Sequence, residues 1–498
     1  MSESAYQKLH ARFREAALFR STAGVLGWDQ ETFLPPAGVA WRAEQLASLS
    51  GHCHRLTTAP EIGGWLDEAA AAAATTAPDS SHTAATNIRG WKRAYDKATK
   101  LPVSLVEEWS RTTSIAQNVW AEARKKSDFT VFQPHLEKLV SLARQKADAW
   151  GWQACRYDAL LDEYEPGARS TEIAATFAAL GPQISAMVQP ATEKAARFPK
   201  SLLAGHYPIA AQQAFNREVA AAIGFDFSAG RIDTTTHPFC TGLGPLDTRL
   251  TTRYDEDDFS SSLYGVLHEA GHGLYDQGLN HQEWGQPAGE ACSLGIHESQ
   301  SRLWENHIGS STGFWTRWLP RAVDYFPHLA GLTPEQMTGA ISRVQPSFIR
   351  VEADEVTYDL HIILRFEIER ALIEGDLAPA DVPDAWNEKF KTLLGLTVPD
   401  DAHGCLQDVH WSFGLFGYFA TYTLGNLNAA QLMHRARQSV AGLDSSLASG
   451  DYAPLLHWLR AEIHAPGQRW DAPELMRQAT GETTQGQYFL EHLRGKFL

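Results

Sequence analysis

A chain of 498 residues, 44% hydrophobic and 10% aromatic, can bury a substantial core and suits one large helical body or several domains. Its formal net charge of -16, with no basic stripe, argues against nucleic-acid and anionic-membrane partners. Five cysteines, at 53, 155, 240, 292 and 405, are odd in number, far apart and free of any C-x-x-C pair, which excludes a disulfide framework and a thiolate zinc site.

The predicted elements are nearly all helices. Residues 4 to 160 read as a helix around Leu9, Phe13, Ala16, Ala17 and Arg20, then Glu44 to His54, Glu61 to Ala74, Thr86 to Ala98, Val103 to Lys126 and Val131 to Trp150. Breaks are expected at Pro35-Pro36, Pro60, Pro78 and Pro102. Helices continue at Ser170 to Ala196 and Ile209 to Ile223. Between Phe225 and Tyr254, glycines at 230, 242 and 244, prolines at 238 and 245, and Thr-rich runs predict a small antiparallel pair of strands. Further helices are expected at Ala288 to His307, closed by Gly309, and as one long element from Ser347 to Glu374. No Pro, Gly or Ser-rich linker divides the chain, so the expectation is a single all-α domain over 1–498, with helical halves flanking a deep groove and a small sheet beside one helix. The opening residues carry no apolar h-region and no run of about 18 apolar residues follows, so a cytoplasmic protein with no membrane partner is expected.

The one stretch with unmistakable chemistry is Val266-Leu267-His268-Glu269-Ala270-Gly271-His272-Gly273-Leu274, an H-E-x-x-H motif. At about 100° per residue, positions four apart share a helix face, so His268 and His272 can grip one zinc-sized ion while Glu269 stands beside it as a proton acceptor. Leu263, Leu267, Ala270 and Leu274 form an apolar stripe facing away from the histidine pair. The acidic run Asp255 to Asp258 suits the positive N-terminus of this helix, and Gly278 its stop. Gly265, Gly271 and Gly273 cost helix stability, which is easier to understand where something must approach the helix backbone closely.

A third ligand is needed, and Glu290, Glu298 and Glu305 all qualify by position. Small residues Ala291, Gly295 and Ser301 on its own face favour Glu298, with Glu305 two turns further along still open. Gly309-Ser310-Ser311-Thr312-Gly313 matches the G-x-S-x-G pattern of serine hydrolases, but no strand precedes it and the nucleophile-elbow context is absent.

The chain resembles the carboxypeptidase Taq family of zinc metallocarboxypeptidases. The likeness rests on His237-Pro238-Phe239, Asp247-Thr248-Arg249-Leu250-Thr251-Thr252, the metal motif, His297-Glu298-Ser299-Gln300, Ile349-Arg350-Val351-Glu352-Ala353-Asp354-Glu355 and Gly404-Cys405-Leu406-Gln407-Asp408-Val409-His410-Trp411, in that order. It extends from Trp28-Asp29 to Thr480-Gly481-Glu482, with Ala420 standing where proline is expected. The resemblance implies a nearly all-helical fold with a groove, a homodimer, Glu298 as third ligand to one divalent metal per chain, zinc or cobalt, and release of single residues from peptides with a free C-terminus. It also implies broad specificity and poor action on C-terminal proline.

Arg350 has two readings, an intrahelical ion pair with Asp354 four residues on, or a bidentate anchor for the substrate carboxylate, to which the family position assigns it. Arg249 is the second candidate anchor, against a structural arginine at a sheet edge. His237 and His410, each unremarkable alone, gain substrate or oxyanion roles from their family positions, and Tyr418 can offer its phenol to the oxyanion. The nearest rival reading is an endo-acting zinc oligopeptidase of the same helical group, which would lack the carboxylate anchor.

Overall fold

Prolines and polar caps set where the helices of this mainly α-helical protein begin. In the computed structural model, which describes residues 3–74 and 81–498, Pro60 opens the helix Pro60–Ala73, and Val103–Lys126 follows Pro102 directly. The first helix, Ala5–Thr32, starts on a capping box in which Ser4 accepts from the Gln7 amide. The break expected at Pro78 lies outside the described residues. Phe129–Trp150, Ser170–Ala195 and Ile209–Ala222 follow where apolar periodicity places them. No helix among the described residues is long and apolar enough to cross a membrane. All five cysteines are free.

The chain folds as two compact units, each assembled from three separated stretches. The first comprises Met1–Thr99, Lys200–Ile341 and Leu432–Thr483; the second comprises Lys100–Pro199, Ser342–Gln431 and Thr484–Leu498. In the second unit the core gathers around the helix Tyr358–Glu374, which buries Leu360, Ile362, Ile363, Leu364, Phe366 and Ile368. In the first, Leu9, Phe13, Ile62, Leu66 and Trp91 form one apolar cluster.

The expected β pair is present but enlarged. Strands β1 (Gly230–Thr234), β2 (Cys240–Gly244) and β3 (Asp247–Thr252) form a sheet of order β1-β3-β2. β2 and β3 make the antiparallel hairpin, with a bulge between Gly242 and Gly244, while β1 runs parallel to β3 and pairs its other edge, which would otherwise present bare backbone groups. This sheet lies beside the helix Phe259–Asp276, where a side chain on Gly273 would come within 3.0 Å of Leu250.

Two helical expectations are corrected. Ser347 to Glu374 is not one helix: Asp354 accepts from the Val356 and Thr357 amides and from the Gln345 amide, and this local capping keeps the chain irregular until Tyr358. Arg350 therefore sits on a single turn, Arg350–Glu352, and the intrahelical pair with Asp354 does not form. The helix expected from Ala288 to His307 starts only at Leu294, where Ser293 caps it and Pro287–Gly289 makes a separate turn.

The helix Phe259–Asp276 is capped by Asp258, whose carboxylate accepts from the Ser260 amide, and it buries Leu263, Val266, Leu267, Ala270 and Leu274 completely. Leu294–Arg302, capped by Ser293, crosses it at very close range. A Cβ on Gly271 would lie 2.5 Å from the Gln300 carbonyl oxygen and 2.6 Å from the Ser301 Cα. Because backbone and not a flexible side chain fills that space, Gly271→Ala is expected to force the helices apart and to destabilise the protein by about 1 to 3 kcal/mol. Thermal unfolding checks this; an alanine variant as stable as the parent would contradict so tight a crossing.

Candidate metal centre and its surroundings

The crossing at Gly271 carries Glu298 to the histidine pair. His268, His272 and Glu298 each offer a ligand atom, and the three atoms lie within 4.8 Å of one another. The Glu298 Oε2 stands 3.7 Å from His268 Nε2 and 3.5 Å from His272 Nε2. Donors around a tetrahedral ion at zinc-like bond lengths stand roughly 3.3–3.5 Å apart, so the set fits one small divalent cation.

Other groups hold each donor in place. Glu305, weighed from sequence as a ligand, instead takes the far side of His268, with its Oε2 2.8 Å from Nδ1. Leu303–Gly309, which contains it, is wound as a π-helix, a widened turn often found at functional sites. His272 Nδ1 lies 3.1 Å from the His297 carbonyl and 2.6 Å from its Nδ1, and His297 Nε2 lies 3.2 Å from Asp276. Arg302 donates from Nε to Glu298 Oε1 at 2.8 Å, which leaves Oε2 for a cation. Partners of this kind fix ring orientation and ligand basicity. The Glu298-x-x-x-Arg302-x-x-Glu305 spacing was a readable signal for this support; the Asp276 to His297 link had none, because its two members come from separate helices.

The electrostatics follow from burial and these neighbours. Burial opposes a charge on His268, but Glu298 and Glu305 outweigh it and hold the imidazole up to about 9. Burial pushes His272 down to about 4 against the pull of Glu298. Burial would raise Glu298, yet Arg302 and the two imidazoles keep it well below the usual carboxylate range. Glu269, only 7% exposed, is raised by burial to about 7, with His268 opposing and Glu298 and Glu305 adding to the rise.

In the second unit the structure gathers Arg350, His410 and Tyr418. Arg350 donates to Asp408 Oδ1 from Nε at 3.0 Å and lies 2.9 Å from it through Nη2, while Nη1 donates to the Tyr358 hydroxyl at 3.1 Å. Its guanidinium also lies over the Tyr422 ring. His410 Nε2 is 3.3 Å from the Tyr422 hydroxyl, and its ring centroid is 5.5 Å from that of Tyr418. Burial holds His410 down to about 4, with Asp408 opposing. Asp408 bridges Arg350 to the fully buried Arg365, which follows the apolar run Ile362-Ile363-Leu364 and has no local sequence signal for that role.

The remaining candidates lie elsewhere in the first unit. Arg249 on β3 is engaged by Asp247 at 2.9 and 2.8 Å and covers the Trp28 ring, an arrangement that favours a structural role, although β3 is the central strand of the sheet and not the expected edge. His237 is exposed in the loop between β1 and β2. Ser311 of the G-x-S-x-G match caps the helix Thr312–Tyr325, accepting from the Phe314 amide, so its hydroxyl serves the backbone.

Comparison with known proteins agrees with this geometry. The sequence pattern described as "Carboxypeptidase Taq (M32) metallopeptidase" matches residues 8–497. Thermostable carboxypeptidase 1 of Thermus thermophilus is 43% identical over 507 residues, covering 99% of this chain and 98% of that protein. Carboxypeptidase 1 of Bacillus subtilis is 35% identical, covering 96% and 95%. The crystal structure of the M32 carboxypeptidase from Deinococcus radiodurans superposes with a TM-score of 0.94 at 38% identity, covering 99% of this chain and 98% of that one. Fold and relatives define the class: a metallopeptidase hydrolase of carboxypeptidase type. The chain belongs to the carboxypeptidase Taq (M32) family.

Coordination of a cation through His268 would require a neutral imidazole, against which Glu298 and Glu305 favour the protonated form. Metal uptake near pH 8, where Glu269 is already ionised and His272 neutral, is therefore expected to release about one proton per ion, and affinity should rise with pH up to about 9. Calorimetric titration in buffers of different ionisation enthalpy measures that proton; uptake with none released would contradict the charge state of His268.

Proposed function

We propose that this protein releases single C-terminal amino acids from peptides with broad specificity, using one divalent ion per chain, zinc or cobalt in its place, with Glu269 as general base. The observation that carries the proposal is the spacing of His268, His272 and Glu298, two half-buried imidazoles and a buried carboxylate whose Oε2 stands 3.7 and 3.5 Å from the two Nε2 atoms. A divalent cation there supplies Lewis acidity toward water and the scissile carbonyl. Glu269 takes the proton of the attacking water and hands it to the leaving amine, a task suited by a carboxyl raised to about 7. Arg302 holds Glu298, and Glu305 and His297 hold the two imidazoles, so the donors are oriented before a cation arrives.

Arg350 is assigned to the substrate's terminal carboxylate in preference to Arg249 on the strength of its family position, since each guanidinium already holds an aspartate, Asp408 and Asp247 respectively. Asp408 fixes the plane of Arg350 through Nε and Nη2, and a rigid fork suits bidentate recognition. His410 and Tyr418 are assigned to the reacting carbonyl, with His237 at the substrate's edge. The match over residues 8–497 supports one functional domain, and the resemblance supports a cytoplasmic homodimer acting on free peptides.

Two variants test these roles. Glu269→Gln is expected to keep its metal and lose on the order of 10² or more in kcat, and near-normal turnover would require another base. Arg350→Ala is expected to lose roughly ten- to a hundredfold in kcat/KM on free-acid peptides and little on C-terminal amides. Equal losses on both substrates, with metal content intact, would assign Arg350 to structure.

A further inference from the structure

The turns between His410 and Tyr418 have no helix or strand to hold them, yet Trp411, Ser412, Gly414, Phe416 and Gly417 are buried. Beyond the turns' own backbone hydrogen bonds, one side chain reaches both ends of them. Glu369, fully buried on the helix Tyr358–Glu374, accepts from the Trp411 indole N–H through Oε1 at 2.9 Å. Through Oε2 it accepts from the Gly417 backbone N–H at 3.1 Å and from the Tyr157 hydroxyl at 2.9 Å. Trp411 directly follows His410, and Gly417 directly precedes Tyr418.

We infer that Glu369 is the positioning residue for His410 and Tyr418, holding both ends of the loop between them on the two oxygens of a single carboxylate. The inference rests on the assignment of those two side chains to the peptide's reacting carbonyl. A carboxylate is suited to this because both oxygens accept, and a buried one is costly unless its acceptors are filled, as these are by three donors. An apolar core residue would pack equally well but could not fix two separate N–H groups. Gly417 tightens the arrangement: its φ is 94°, and a Cβ there would lie 2.8 Å from the Leu161 nitrogen, so the backbone is pressed against the residues that follow Tyr157. Tyr157 thus ties the same carboxylate to the layer beneath the loop.

Glu369→Gln keeps the shape but turns one acceptor into an NH2 group, which must face a donor. With metal content and far-UV circular dichroism unchanged, the variant is expected to show faster hydrogen exchange confined to residues 409–419. Its kcat on a free-acid peptide should fall about tenfold or more with KM within about twofold, as expected when groups that act in the transition state are displaced. Tyr157→Phe removes one of the three donors and is expected to give a smaller change of the same kind, about threefold; it carries the test if the glutamine variant does not fold. In whichever variant folds and keeps its metal, unchanged loop exchange, unchanged kcat despite faster loop exchange, or exchange rising equally throughout the protein would each overturn the inference. Failure of the carboxypeptidase reading itself would appear differently, as no C-terminal release by the parent protein.

Discussion

The contact on which the site depends is between two backbones. Gly271 lets the helix Phe259–Asp276 lie against Gln300 and Ser301 with no side chain between them, and only at that separation does Glu298 reach the two imidazoles. A one-turn shift along either helix, about 5.4 Å, would put the carboxylate out of range, so the crossing must also be fixed in register. Completely buried Leu263, Leu267 and Leu274 anchor one helix, and buried Ile296, Ser299 and Ser301 the other. The packing that excludes water from one face of the motif helix is thus the same packing that assembles the donors on its neighbouring face.

Charge is distributed with the same economy in both units. Around His268, Glu298 and Glu305 draw a proton onto a half-buried imidazole, and the same negative field would favour a dication. In the second unit Asp408 serves two arginines, one on each oxygen: Arg350 through Oδ1 and Arg365 through Oδ2. Arg365 is inaccessible and donates to the His361 carbonyl as well, so it acts as a fixed post that holds Asp408, which in turn sets the plane of Arg350. Removing one member of such a buried group costs about 3 to 5 kcal/mol, which makes the group rigid as well as charged.

Much of this was legible in the sequence because helical periodicity and a four-residue ligand spacing are local signals. His268, His272 and Glu269 follow from the motif alone, and the glycines around them signalled a close approach to the helix, which is another backbone at Gly271 and side chains at Gly265 and Gly273. Glu298 and Glu305 could not be separated from spacing, since both fall on one helix face; the fold separates them by giving one to the cation site and the other to the far nitrogen of His268. Arg350 was misplaced locally because an apolar, helix-favouring stretch concealed the capping by Asp354 that delays the helix to Tyr358. The third strand was missed for the opposite reason: β1 owes its place to a distant partner edge, and nothing within five residues announces that pairing. Asp276, Arg365 and Glu369 act through residues far away in the chain, which is where reading from local pattern ends.

The central claim is that a cation held by His268, His272 and Glu298 drives hydrolysis from the C-terminal end of peptides. Mass spectrometry of a defined peptide mixture, incubated with metal-loaded and with chelator-stripped protein, measures activity, direction and metal dependence together. The account predicts ladders that shorten one residue at a time from the C-terminus, produced only by the loaded protein. Internal fragments, or ladders that persist without metal, would contradict it.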